Sequence, residues 1–275
     1  MDIKYLQEIV DDKKREGLPK QVIINYLKEA LQFPILSFIY KNDKYKNFVF
    51  TGGSCLRICY GAPRLSEDLD FDLIESDWDS VDLDVFGEEV VLDLSKKYLL
   101  PVKYKRQSNC RLYLKFSILK QLGLAEGQES DFLFVKVESS KMNYKNPELE
   151  VTPISNYGYN FLVKNYSLPY LMVGKIGALF QRMWFKGSDN EIDVKGRDFY
   201  DLFWYLKNNI EPAWDEMQTR LNISNYKELK EKIIKLIDEK VTTKKLSYDL
   251  KNFFSDQSFV EDFCENYKQI ILKYL

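Results

Sequence analysis

In Asp68-Leu69-Asp70-Phe71-Asp72-Leu73 polar and apolar positions alternate at every step. On a β-strand this sends three carboxylates to one side and Leu69, Phe71 and Leu73 to the other. The same period of two recurs in VKYKRQ (102–107), RLYLKFSIL (111–119) and DFLFVKVE (131–138), which read as further strands. Elsewhere the period is helical. Residues 2–15 and 19–32 predict two helices, the second with Pro19 near its first turn, where a missing N–H matters little. A short apolar strand over 48–51 runs into Gly52-Gly53-Ser54, with Ser54 at the N-cap of a helix that Gly61 can end. Residues 87–100 read as a helix, and from Pro169 to Leu275 the helical period persists, broken by the polar loop KGSDNEIDVKG (186–196). The expected fold class is α+β, with a mixed α/β part over 1–165 followed by an all-helical C-terminal domain over 166–275. No internal repeat is visible.

Charge sharpens this picture at one place. Neighbouring aspartates on the 68–73 strand lie ~6.6 Å apart, and at an effective dielectric near 20 their repulsion is about 2.5 kcal/mol per pair. Something positive has to offset it. The chain of 275 residues contains no histidine, which excludes zincin, Ser-His-Asp, Cys-His and histidine-based ribonuclease chemistry. A formal charge of −2 and 45% hydrophobic residues describe a globular chain whose surface is not a general polyanion trap. The four cysteines lack C-x-x-C spacing and read as thiols, with Cys55 and Cys59 as core residues. No apolar run looks long enough to span a bilayer, and the N-terminus has no signal-peptide core, so the expectation is cytoplasmic with no membrane partner.

The two familiar phosphate motifs fail: GGSCLRICYG lacks both the Lys-Ser/Thr end of a P-loop and the glycine spacing of a dinucleotide fold. What remains is strand, Gly-Gly-Ser, helix, then a strand with alternate carboxylates. Glycines let a triphosphate approach the backbone, and the helix N-terminus supplies partial positive charge. Carboxylates would hold the Mg²⁺ that such a phosphate carries. The combination suits nucleotidyl transfer, in which metal activates a hydroxyl and neutralises departing pyrophosphate.

GGSCLRICYGAPRLSEDLDFDL (52–73) resembles the first motif of the DNA polymerase β-like nucleotidyltransferase superfamily, specifically its AbiEii/AbiGii toxin branch, through Arg64, Ser66, Asp68 and Asp70. LMVGKIGALFQR is similar to that branch's Lys-x-x-Ala-Leu-x-x-Arg helix, through Lys175, Ala178, Leu179 and Arg182. KGRDFYDLFWYL resembles its Arg-Asp-x-x-Asp-Leu motif, through Arg197, Asp198, Asp201 and Leu202. The resemblance implies a mixed-sheet nucleotidyltransferase core with flanking helices and a helical domain after it, with NTP bound in a cleft between the two. It implies a nucleotide site at Gly52, Gly53, Ser54, Arg64, Ser66, Lys175 and Arg182. The catalytic residues would be Asp68, Asp70, Lys175 and Asp198, and the metal ligands Asp68 and Asp70. A third ligand is usual on a neighbouring strand, and Glu138 is the candidate there.

Helical spacing puts Leu171, Lys175, Ala178 and Arg182 on one face, and Asp198, Asp201 and Tyr205 on another. Asp198 is then placed to orient Lys175 or Arg182; the plainer reading is a salt-bridged helix surface. Asp82-Leu83-Asp84 has the spacing of the Asp68/Asp70 pair without an upstream Gly-Gly helix, and reads as a solvated segment. Asp72 is an extra carboxylate, either behind the metal ligands or in solvent. Lys103, Lys105 and Arg111 either line an acceptor groove, meeting phosphates, or belong to an ordinary exposed strand. The expected function is Mg²⁺-dependent transfer of NMP from an NTP to an RNA such as tRNA, as the toxin of a toxin-antitoxin or phage-defence system with a cognate antitoxin. The alternatives are a non-catalytic nucleotide-binding partner protein and a small-molecule nucleotidyltransferase of the antibiotic-modifying type.

Overall fold

The computed structural model describes residues 1–187 and 191–275 and divides them into two compact units, Met1–Tyr166 and Ser167–Leu275. The first unit opens with α1 (Ile3–Arg15) and α2 (Lys20–Lys41), followed by β1 (Val49–Thr51), α3 (Gly52–Tyr60) and β2 (Asp68–Leu73). Next come α4 (Glu75–Ser80), α5 (Leu83–Tyr98), β3 (Val102–Ser108), β4 (Arg111–Ser117), β5 (Phe132–Lys141), β6 (Leu149–Asn156) and β7 (Tyr159–Tyr166). The seven strands form one mixed sheet in the order β3-β4-β5-β2-β1-β7-β6, with β2/β5 and β1/β7 parallel and the remaining neighbours antiparallel.

The alternation in β2 does what its pattern requires: Leu69, Phe71 and Leu73 are buried and the three aspartates half-exposed. Leu112, Leu114 and Phe116 of β4 and Leu133, Val135 and Val137 of β5 continue the same apolar face, with α2 against β5 and α5 against β3 and β4.

α2 departs from expectation in two ways. It continues past Gln32 to Lys41, straight through Pro34. An interior proline costs about 3 kcal/mol or more. Ile35, Leu36 and Ile39 beyond it are completely buried, at roughly 1.5–3 kcal/mol each, so packing outweighs the lost backbone bond. The extended helix is also long and apolar enough to cross a membrane, contrary to the reading of its sequence. In this fold 78% of that window is buried inside the protein, as a core helix requires.

The hairpin of β6 and β7 has no counterpart in the sequence reading. Its two-residue turn, Tyr157-Gly158, holds both residues at positive φ, and tyrosine there is not the usual signal for such a turn. β6 lies at the sheet edge, where Pro153 is tolerated because no outer neighbour needs its missing N–H. Asp82 caps α5, accepting from the amides of Asp84 and Val85, so Asp82-Leu83-Asp84 is a helix start rather than a solvated stretch.

The second unit is helical: α6 (Leu168–Gln181), α7 (Gly196–Lys207), α8 (Trp214–Leu221), α9 (Tyr226–Lys240), α10 (Thr243–Leu250), α11 (Gln257–Glu265) and α12 (Tyr267–Tyr274). α7 packs against α6, α10 and α12, with Tyr200 set edge-on to Phe254 and Phe263. Of the expected polar loop, Lys186 and Ile192 form an isolated β-bridge, while 188–190 lie outside the described residues.

Candidate active site

In the first unit the site begins at the junction of β1 and α3. Thr51 stands at the N-cap position without a side-chain bond, and the helix starts at Gly52, not at Ser54. Gly52 has φ +76°, and a Cβ there would fall 2.5 Å from Asp70 Oδ2, so only glycine lets the Asp70 carboxylate lie against the helix N-terminus. That end of the helix carries partial positive charge and favours an anion. Gly53 is crowded by side chains, because its Cβ would meet Arg64 Nη2 at 2.5 Å and Ser66 Oγ at 3.1 Å.

Arg64 is only 2% exposed and donates from Nη1 to the Leu65 carbonyl at 3.0 Å. Ser54, fully buried inside α3, donates to the Asp68 carbonyl. Gln32 of α2 reaches the same junction, donating from Nε2 to the Ser66 carbonyl at 3.1 Å and to Ser54 Oγ at 3.4 Å. Arg64, Ser66, Ser54 and Gln32 thus brace the Gly-Gly turn from beneath. Gln32 went unnoticed in the sequence, although a polar residue inside the apolar run ALQFPIL is itself a signal.

On the polar face of the sheet, Asp68 and Asp70 of β2 pair in register with Lys136 and Glu138 of β5. The positive charge demanded by the aspartate row is Lys136, whose Nζ lies 3.0 Å from Asp68 Oδ2 and 2.9 Å from Glu138 Oε2. Burial lowers its pKa, but Asp68, Asp70 and Glu138 outweigh this and raise it above the ordinary value. Arg111 adds a two-pronged contact to Glu138, at 3.1 and 2.8 Å. Burial raises the Glu138 pKa, but Arg111 and Lys136 bring it below the ordinary value. Asp72 accepts from the Tyr166 hydroxyl at 2.7 Å, which ties it into the β1–β7 side of the sheet.

Asp68 and Asp70 fit a hard divalent cation by donor type, being two carboxylates on one strand face beside a helix N-terminus. Among the described residues, no three acidic, histidine or cysteine side chains are gathered as a ready metal cage. Glu138 is turned to Lys136 and Arg111 instead.

The second unit assembles the other two motifs. Lys175 of α6 lies 2.6 Å from Asp201 Oδ2 and 3.1 Å from Asp198 Oδ1, and Arg182 pairs with the second oxygen of Asp198. Asp201 is fully buried and Asp198 nearly so. Burial pushes the Asp198 pKa up, but Lys175 and Arg182 reverse this and hold it at about 2. Arg197 turns to Asp249, with backbone N and Nε at 3.0 and 3.1 Å, and its guanidinium lies 3.9 Å over Phe253. Lys195, not singled out from the sequence, is half-buried; burial and the charges of Arg197 and Arg182 depress its pKa.

A mixed sheet carrying paired carboxylates beside a Gly-Gly helix start defines a nucleotidyltransferase-like protein. The family described as nucleotidyl transferase AbiEii toxin, type IV TA system, matches residues 35–269, and the chain belongs to that family. It is therefore a nucleotidyltransferase, with an NTP as substrate and a cognate antitoxin as the counterpart that a type IV system implies. A comparison with curated proteins finds no match. Among solved structures, one described as "putative nucleotidyltransferase from H. pylori" is 17% identical, covering 90% of this chain and 93% of that chain at a TM-score of 0.47. JHP933 from Helicobacter pylori is 15% identical, covering 89% and 92% respectively, also at 0.47.

Proposed function

We propose that this chain transfers a nucleoside monophosphate from an NTP to an RNA acceptor, with tRNA as the first candidate, and that the cognate antitoxin opposes this activity. The observation that carries the reading is the close approach of Asp70 to Gly52, which brings a carboxylate pair beside the first amides of a helix. Asp68 and Asp70 would hold a divalent cation, Mg²⁺ in this proposal, which when bound neutralises triphosphate charge and acidifies the attacking hydroxyl. The amides of Gly52 and Gly53 take phosphate oxygens, as helix N-termini do, with Ser54 behind them holding the turn. Arg64 and Ser66 serve this site by bracing the turn, since both are buried. In the second unit Lys175 and Arg182 are the proposed phosphate-binding cations, oriented by Asp198 and Asp201. The acceptor hydroxyl gives up its proton to solvent as its oxygen bonds to the α-phosphorus, the bond to the bridging oxygen breaks, and pyrophosphate leaves with the electron pair. The proposed setting is the cytoplasm, where NTP and RNA meet.

The test incubates the purified protein and Mg²⁺ with each α-labelled NTP and separate pools of tRNA, total RNA, protein and small molecules. Label on RNA, lost in Asp70→Asn, is the expected result. Label only on a small molecule overturns the acceptor assignment. No label in any pool overturns the assignment of the carboxylate pair as a transfer site.

A further inference from the structure

The face of the sheet that carries Asp68 and Asp70 continues without a break to the β3 edge. Register places Lys136 beside Asp68, Tyr113 beside Lys136, and Lys105 beside Tyr113. One step along the strands, Phe134 is beside Lys115 and Lys115 beside Lys103. Phe132 lies two residues further along β5 on the same side. Strand spacing of ~4.8 Å makes this a strip about 14 Å wide from the carboxylates to Lys105.

Its chemistry changes along that distance. Beyond Glu138 the strip consists of rings and cations. Tyr113 and Phe134 meet edge-on with centroids 6.1 Å apart, Phe132 and Phe134 at 6.2 Å, and Lys115 Nζ lies 4.4 Å over the Phe132 ring. Phe134 is 39% exposed, and Lys103 and Lys105 are exposed. Among the described residues none of Lys103, Lys105 and Lys115 pairs with a carboxylate. A protein in need only of solubility has no use for clustered rings on an open sheet face, and unpaired lysines around such rings repel one another until an anion arrives. Bases have faces that stack on rings, and phosphates match the lysines; sheets that bind single-stranded RNA use this combination.

We propose that the β3–β4–β5 face, through Phe134, Tyr113, Phe132, Lys103, Lys105 and Lys115, binds the single-stranded 3′ end of the RNA acceptor and leads its terminal hydroxyl towards Asp68 and Asp70. This rests on the reading of those aspartates as the transfer site. The neighbouring Lys136 and Arg111 stay with Glu138, so the strip keeps a cationic border up to the carboxylates.

The test measures fluorescence anisotropy of a short 5′-labelled single-stranded RNA with the full chain, across a salt series and without NTP. Phe134→Ala is expected to weaken binding about tenfold, the lower range of one lost stacking contact, while Phe134→Trp retains it. The double variant Lys103→Gln, Lys105→Gln is expected to reduce the salt slope by about 1.4, two phosphate contacts' worth on a single strand. Melting temperatures taken alongside show that each variant is folded. Wild-type affinity in Phe134→Ala, an unchanged salt slope, or equal platform-dependent binding of blunt duplex RNA each overturns the proposal. The two readings fail separately. Protein that transfers label from NTP yet does not bind this RNA overturns the platform alone. Platform-dependent RNA binding with no transfer to any acceptor overturns the transfer site.

Discussion

Lys136 does two jobs that pull in opposite directions. Its ammonium stabilises Asp68 and Glu138, yet under the proposed function it would compete with a divalent cation for the Asp68 carboxylate. Lys136→Met keeps the length of the side chain and removes the charge. Without metal the variant is expected to melt lower, because carboxylates in register across β2 and β5 lose their counter-ion. Calorimetric titration with Mn²⁺ is expected to show about tenfold tighter binding, equivalent to about 1.4 kcal/mol. Added Mn²⁺ should then raise the variant's melting temperature more than that of the wild type. Equal Mn²⁺ affinity in the two proteins would show that Asp68 and Asp70 are not the cation's ligands.

The α3 helix is short, and its position depends on the two residues that begin it. Gly52→Ala introduces a Cβ that would lie 2.5 Å from Asp70 Oδ2 on a backbone at φ +76°. The conformation costs about 1–2 kcal/mol for a residue with a Cβ, and Asp70 has to move as well. The expected outcome is a modest loss of stability and a loss of NMP transfer of more than tenfold, since small misplacements at a reacting centre cost about a hundredfold. Unaltered transfer kinetics would dissociate the helix start from the reaction. α3 is further braced by Gln32, so the long buried α2 is linked to the site rather than merely to the core.

Acid unfolding of the whole molecule has a buried source in the second unit. Asp198 is held at about 2, below its ordinary 3.8. A carboxylate with a depressed folded-state pKa contributes stability above its unfolded value and loses it as pH falls through the folded one. That contribution is about 2 kcal/mol, present above pH ~4 and lost towards pH ~2. Lys175 and Arg182 are the cations that face it, with Lys195 near by. Trp184, Trp204 and Trp214, three of the four tryptophans, lie in the second unit. Urea unfolding followed by tryptophan fluorescence is therefore expected to show a midpoint that falls between pH 4 and pH 2. Asp198→Asn should be less stable near neutrality and have a shallower slope over that interval; a wild-type slope in the variant would assign the acid sensitivity elsewhere.

Local rules were enough for the parts of this protein in which one segment decides its own structure. Alternation in 68–73 dictates a strand with carboxylates on one side, because successive side chains must point oppositely. The fold class follows from strand and helix periods, and the motif spacings already carry the family. Other features depend on residues far apart in the chain. The continuation of α2 past Pro34 is decided by burial of Ile35, Leu36 and Ile39, which the helix pattern does not reveal. The β6–β7 hairpin depends on an edge position and an unusual turn. Glu138 was legible as a neighbour of the aspartates, but its turn towards Arg111 and Lys136 was not. Strand order, rather than sequence distance, determines which charges meet: it brings Lys136 beside Asp68 and sets the rings of β4 and β5 on the face that carries Asp70.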